Sequence, residues 1–561
     1  MKKIWLENYP PGVPAEIDPC AHASLKELLE QSCLRFHDKV AFSNMRATLT
    51  YAELDRLSGN FGAFLQSRGL AKGARVAIML PNLLQYPVAL FGALRAGMIV
   101  VNVNPLYTAS ELRHQLADSG AEALVVLENF AQTAGQALAG TNVRHVVTTQ
   151  VGDLFSLFGR WATNFVVKYL RGMVPSWSIS GATDFRTALA QGEGHGLGAC
   201  TVRAEDVAFL QYTGGTTGRP KGAMLTHGNM VANVEQTAAW IASTLTAGAE
   251  TVITALPLYH VFALTTNLLL FVRLGGRNVL VTNPRDLESF VAELRRTRFS
   301  VITGVNTLYH ALLETPGFGR VGSAHPGTLK VAVAGGMAVQ RSVAKRWHEL
   351  MGVPLVEGYG LTEASPIVCA NPLGAREFSG KLGLPVPSTE VSIRDERGAE
   401  IDLGEVGEIC VHGPQVMRGY WNAPAETAAA LTADGWLRTG DMGWMDSRGY
   451  VEFTERRKDV IVVSGFKAYP TEIEDAVMLH PDVQDAGAVG VPDARSGEAV
   501  VLFVVKKDPA LTAEAVLAHC RQHLTGYKLP RRIEFRERLP KTLVGKILRR
   551  ELQADAARSH G

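Results

Sequence analysis

The stretch VAFLQYTGGTTGRPKGAMLTHGNM, residues 207–230, decides the fold, because it joins an apolar run to a loop with almost no bulky side chains. Val207 to Tyr212 reads as a short buried strand, Thr213 to Gly222 as the loop, and a helical pattern resumes near His227. The loop holds Gly214, Gly215, Gly218 and Gly222, the hydroxyls of Thr213, Thr216 and Thr217, and Lys221. Glycines let the main chain approach phosphate oxygens, threonines add donors, and a lysine adds a compact positive charge. A polyphosphate is the expected guest. A P-loop does not fit: the Gly-x4-Gly-Lys-Ser/Thr spacing is absent and Pro220 directly precedes the lysine. An ordinary glycine-rich turn is the plain alternative.

The run YTGGTTGRPKGAMLTH resembles the phosphate-binding signature of the acyl-adenylate-forming enzymes, the group that contains acyl-CoA synthetases and luciferases. The resemblance extends from MKKIWLENYP at the start to VGKILRREL near the end, and in detail it is to bacterial members that act on long-chain fatty acids. It implies an α/β fold: a large N-terminal domain, 1–455, of layered sheets with a small β subdomain, then a small mobile α+β domain, 456–561.

Composition agrees with a folded, globular chain. A chain of 561 residues with 47% hydrophobic content can bury several cores, about three or four domain-sized units. A net charge of +2 gives no global reason to expect nucleic acid. The 6 cysteines show no metal-ligand spacing and read as reduced cytosolic thiols. Pro10, Pro11 and Pro14 interrupt the place where a signal peptide would need an apolar segment, so the expected location is cytoplasmic. The uncharged run Thr251 to Val272 carries Pro257, His260 and Asn267 and reads as buried strand plus helix rather than a membrane span.

Residues 22–150 alternate helical and strand patterns. Thr50 with Glu53 and Thr108 with Glu111 have capping-box spacing, and Leu54, Leu57, Phe61, Phe64 and Leu65 share one face of the helix after Thr50. Val76 to Leu80, Met98 to Val103 and Ala123 to Leu127 read as buried strands of a largely parallel sheet. Residues 154–177 differ. They combine Phe155, Phe158, Trp161, Phe165, Tyr169 and Trp177 with Arg160, Lys168 and Arg171, and no acid interrupts them. Such a segment suits shallow binding to an anionic lipid surface, hence a peripheral position at the inner face of the cytoplasmic membrane; packing on the protein's own body or in a homodimer is the alternative.

Further along, LPLYHVFAL sets His260 among apolar residues, where a histidine is usually a packing residue. The resemblance makes it substrate-lining only, and places the acyl-binding wall around Gly304 to Leu313, including Tyr309. VAVAGGMAV at 331–339 and VEGYGLTEAS at 356–365 are strand-to-loop edges of the kind where α/β sheets bind ligands. By resemblance, Gly335, Gly336 and Tyr359 face adenine, Gly360 beside them is cofactor-binding, Thr362 meets phosphate, and Glu363 holds Mg2+. A hard divalent ion accepts that combination of carboxylate and phosphate oxygens. Residues 383–449 shorten their period into turns and strands, a β subdomain ending in Asp441, which the resemblance assigns to the ribose hydroxyls.

ERRKDVIVVSGFKAYPTEIE, 455–474, resembles the crossover between the two domains, with Arg456 on ribose and phosphate and Lys458 as the hinge. Glu455 departs from the pattern, where Gly or Asp is commoner. Beyond it come a capped helix from Thr471, strands near Ala486 to Val491 and Val500 to Val505, a helix near Ala513 to Leu524, and a basic tail. In PKTLVGKILRR the resemblance makes Lys546 the catalytic lysine, acting with Thr217 and Glu363. The implied reaction is activation of a long-chain fatty acid by ATP through an acyl-adenylate, then transfer to CoA. The alternatives are a medium-chain or aryl acid–CoA ligase, and a non-catalytic acyl-binding or membrane-docking protein on the same fold.

Overall fold

The computed structural model describes residues 3–213, 220–375, 377–464, 466–493, 496–541 and 547–558. Four sheets organise them. In the first, strands Val40–Asn44, Arg277–Leu280, Thr251–Thr254, Val301–Gly304, Val331–Gly335 and Leu355–Gly360 run parallel, and antiparallel strands close both edges. In the second, Arg75–Met79, Ile99–Asn102, Ala123–Leu127 and His145–Thr149 run parallel beside Val207–Thr213. Every residue of Ile99–Asn102 and Ala123–Leu127 is buried, as expected of parallel strands covered by helices on both faces.

Local chemistry sets the helix ends. Helices Tyr51–Ser67 and Ala109–Ser119 both start on complete capping boxes, Thr50 with Glu53 and Thr108 with Glu111. Leu54, Phe61, Phe64 and Leu65 are buried on the first of them, and Leu57 is partly so. The uncharged run after Thr251 becomes the strand Thr251–Thr254 and a helical stretch from Val261 to Leu274, largely buried. Among the described residues no helix is long and apolar enough to cross a membrane.

A third, antiparallel sheet contains Glu390–Arg394, Gly407–His412, Leu437–Met445 and Val451–Arg456. The fourth lies entirely beyond it in sequence, from Ile461–Val463 to Arg532–Arg536. Its two apolar clusters draw only on residues 461–556, with Leu502 and Phe503 fully buried on its opposite faces.

Two local expectations are corrected. The loop after Tyr212 does not extend to Gly222: Lys221–Thr226 is a strand, antiparallel to Val207–Thr213, with Thr213 opposite Lys221 and Tyr212 opposite Gly222. Four of its six residues are buried, and it closes that edge of the sheet although its glycine reads as loop. The helix expected to be capped from Thr471 spans Pro470–Met478 with Tyr469 at its N-cap and no side-chain cap of its own.

Candidate active site

The returning strand carries the first half of the site. Its outer neighbour is the segment 418–421: Arg418 N donates to Met224 O at 3.0 Å, Met224 N to Gly419 O at 2.9 Å, and Trp421 N to Gly222 O at 2.8 Å. This backbone pairing places the Tyr420 ring under Lys221, whose Nζ lies 5.3 Å from the ring centroid. The Tyr420 hydroxyl donates to Glu363 Oε1 at 2.7 Å. Burial first, and Glu363 beside it, hold the phenol protonated far above its ordinary pKa. Sequence reading did not single out Tyr420. It lies 199 positions from Lys221 and 57 from Glu363, and the only hint is an aromatic following glycine in a turn-rich segment.

The second half gathers at the ends of parallel strands. Val331–Gly335 and Leu355–Gly360 pair with Gly335 opposite Gly358. Gly336 adopts φ +76°, which favours glycine, and a Cβ on Gly360 would stand 2.2 Å from Pro366 O. Thr362 and Glu363 occupy the turn Thr362–Ala364 that follows, and Glu363 O accepts from Met417 N at 2.8 Å. The Tyr359 hydroxyl donates to Asp441 Oδ2 at 2.7 Å. Arg456, opposite Asp441 in the antiparallel sheet, brings its Nε to 3.0 Å from Asp441 Oδ1. That oxygen is buried yet receives no aligned hydrogen bond from the described residues, which leaves an acceptor in place for a hydroxyl.

Glu357 is a further residue that sequence reading passed over. Its Oε1 accepts from Val339 N at 3.0 Å, its Oε2 is buried with no hydrogen-bond partner among the described residues, and burial pushes the carboxyl up to about 7. Lying just before the Gly-Tyr-Gly run, it offers an acceptor to an amine donor. His260 caps the short helix Val261–Ala263, its Nδ1 accepting from Phe262 N at 3.3 Å; burial drives its pKa down to about 4, so the ring is neutral. Tyr309 is fully buried, with its hydroxyl donating to Val333 O at 2.7 Å and its ring against Trp347. It packs behind Gly304, where a Cβ would meet the ring at 2.8 Å.

Lys458 Nζ stands 3.9 Å from Asp459 Oδ1, and burial lowers its pKa. Gly214, Gly215, Thr216, Thr217, Gly218 and Lys546 lie outside the described residues. Among the described residues no cluster of three or more His, Cys, Asp or Glu could hold a metal by itself. One carboxylate, Glu363, oriented by Tyr420 and near Lys221, fits a hard cation only if phosphate oxygens complete the coordination.

A separate surface forms from the aromatic segment. Helix Leu157–Phe165 continues into a wider turn, Val166–Leu170, and neither contains a buried residue. Leu157, Phe158, Trp161 and Tyr169 are 75%, 77%, 65% and 67% exposed. Trp161, Phe165 and Tyr169 stack in series, with ring centroids 5.5 and 5.3 Å apart. Polar ties hold the inner side: Asn164 accepts from Gly152 N and donates to Gln150 Oε1, each at 2.8 Å, and Lys168 Nζ lies 3.8 Å from Glu128.

Comparison with known proteins adds to this geometry. Residues 29–421 match the family described as AMP-binding enzyme, and residues 472–546 match the AMP-binding enzyme C-terminal domain. The long-chain-fatty-acid–CoA ligase of Salmonella typhimurium is 54% identical over 557 residues, covering 99% of either chain. The crystal structure of ATP-bound MatB from Rhodopseudomonas palustris superposes with a TM-score of 0.83 at 26% identity, covering 96% of this chain and 100% of that one. Apo MatB from the same organism, with the same coverage and 27% identity, superposes with a TM-score of 0.73, so the overall arrangement is nearer the ATP-bound form.

Proposed function

Because the chain belongs to the AMP-binding enzyme family, we propose that it activates long-chain fatty acids with ATP and passes the acyl group to CoA, releasing pyrophosphate and AMP. The observation that carries this reading is a pair of linked groups, each joined by one hydrogen bond and one contact to a cation: Lys221, Tyr420 and Glu363 on one side, Tyr359, Asp441 and Arg456 on the other. One gathers charge suited to phosphates, the other acceptors and a cation suited to ribose.

Joining a carboxylate to the α-phosphate brings two anions together, so the barrier is largely electrostatic. In this reading the loop after Thr213, with Thr217, and Lys221 at the start of the returning strand cradle the phosphates. Gly335, Gly336, Tyr359 and Gly360 form the adenine slot, with Glu357 Oε2 as acceptor for the exocyclic amine. Asp441 accepts from the ribose, Arg456 neutralises beside it, and Thr362 binds phosphate. Glu363 holds Mg2+, which when bound supplies neutralisation of phosphate oxygens. Lys546 reaches the reacting carboxylate. The acyl chain lies along Gly304 and His260, with Tyr309 supporting Gly304 from behind. No side-chain nucleophile is required, since the CoA thiol displaces AMP from the activated carbonyl. A lysine filling the first site would obstruct that thiol, so the C-terminal unit beyond Lys458 turns about that residue between the two steps.

The exposed stack of Trp161, Phe165 and Tyr169, flanked by Arg160, Lys168 and Arg171, supports docking on an anionic lipid surface at the inner face of the cytoplasmic membrane, where fatty acid arrives. A scan of ATP-dependent pyrophosphate release over saturated acids tests the substrate reading. Release should be highest with long chains; a maximum with short or aryl acids, or none with any acid, would overturn it.

A further inference from the structure

Glu455 is the penultimate residue of the strand Val451–Arg456 in the third sheet, where it pairs with Met442. Its side chain is 2% exposed. A carboxylate so dry needs several donors, and they converge from both sides of the crossover. Arg456 N donates to Oε1 at 2.8 Å, while Thr471 N and Thr471 Oγ1 donate to Oε2 at 2.7 and 2.8 Å. Arg549 Nη2 lies 3.5 Å from that same oxygen. Thr471 stands in the first turn of Pro470–Met478, the helix without a side-chain cap, so Glu455 provides from outside the negative oxygen that the helix start needs.

Arg549 links this contact to the segment of the expected catalytic lysine. It begins helix Arg549–Arg558, three residues after Lys546. Its guanidinium donates twice to Glu474, at 2.9 and 3.0 Å, and its Nε lies 3.9 Å from Asp459 Oδ2. Burial pushes Glu474 up to about 8 against the pull of Arg549, and Glu455 adds to that rise; burial and then Glu455 also raise Asp475. Several carboxylates thus share one guanidinium. The flanks of 542–546 are fastened as well: Lys541 Nζ is 2.5 Å from Asp485 Oδ2, and Leu548 N donates to Pro540 O at 2.9 Å.

These contacts divide into two kinds. Arg549 with Glu474 and Lys541 with Asp485 lie wholly beyond Lys458 and travel together. Glu455 with Thr471 and Arg549 spans Lys458, so a turn of the C-terminal unit about that residue breaks it.

We infer that Glu455 is a positioning residue: it holds the C-terminal unit in the pose seen here, the pose for acyl-adenylate formation, by gripping Thr471 and Arg549 across the crossover. This rests on the two-step reading above and adds to it the group that sets the balance between the steps. Losing buried hydrogen bonds to a charged acceptor should slow adenylate formation by about 10- to 100-fold. Thioester formation from supplied acyl-adenylate, which needs the contact broken, should be unchanged or faster.

Single-turnover rates of both steps in wild type, Glu455→Gln and Glu455→Ala, with thermal unfolding alongside, test this. The Gln variant keeps an acceptor for Thr471 but loses the charge facing Arg549, so its adenylation rate should fall between those of wild type and the Ala variant. Equal loss in both steps, or an unchanged ratio, would overturn the proposal. If the Ala variant does not fold, Gln and Thr471→Val, which deletes the hydroxyl that donates to Glu455 and accepts from Arg549 Nη2, carry the same ratio test. A wild-type enzyme that released no pyrophosphate would sink the two-step reading itself, an outcome distinct from separable steps whose ratio ignores residue 455.

Discussion

Tyr420 joins the two charged groups that the proposed function assigns to phosphate and its cation, with its hydroxyl on Glu363 and its ring under Lys221. Tyr420→Phe keeps the ring and removes one hydrogen bond to a charged acceptor, typically worth about 1.5–3 kcal/mol. We expect ATP binding in the presence of Mg2+ to weaken by about 10- to 100-fold in calorimetric titration, with the unfolding temperature little changed; unaltered binding would contradict this role. Gly360→Ala is the opposite case, because its Cβ would sit 2.2 Å from Pro366 O, a backbone atom that cannot swing aside. Overpacking of this kind typically costs about 1–3 kcal/mol, so a lowered thermal midpoint should accompany lost activity. The sequence displayed Gly360 through its motif. Tyr420 stayed hidden, because its partnership is made by a strand pairing between segments far apart in the chain.

At the scale of elements, the capping boxes at Thr50 and Thr108 were legible because each is complete within four residues. The strand Lys221–Thr226 was less so, since its glycine and its lysine suggested loop while its partner strand supplied the order. The start of Pro470–Met478 misled for a similar reason: its acceptor, Glu455, comes from another sheet. The aromatic helix Leu157–Phe165 and the turn after it were legible in composition, but only coordinates show that their rings face outward. Replacing Trp161, Phe165 and Tyr169 by Ser should abolish co-sedimentation with anionic vesicles while leaving turnover of detergent-dispersed acid intact. Retained vesicle binding would contradict the membrane reading, and a change from dimer to monomer in light scattering would assign the face to a second copy instead.

For the whole molecule, stability and pH are linked through His227, which is almost wholly buried and accepts from Leu25 N at 3.2 Å through Nδ1, joining the starts of two helices. Burial lowers its pKa from 6.5 to about 4. Between those values the unfolded chain binds the proton and the folded one does not, so stability falls as pH drops through this window, by on the order of 3 kcal/mol at most. Denaturant unfolding at a series of pH values should show that slope, and His227→Asn should flatten it; equal slopes would contradict the assignment. Layered parallel sheets, the β subdomain and a separate C-terminal core were readable from strand periods and turn residues. How the C-terminal unit is fastened to the rest was not, because the fastening is made by buried carboxylates shared across the crossover. The central claim is that one half of the molecule grips phosphates while the other delivers a lysine for the first step only. Its most direct test is Lys546→Ala, assayed separately for pyrophosphate release from ATP and oleate and for thioester formation from supplied oleoyl-adenylate and CoA. The first should be lost and the second largely retained; equal loss of both would show that this lysine does not serve the first step alone.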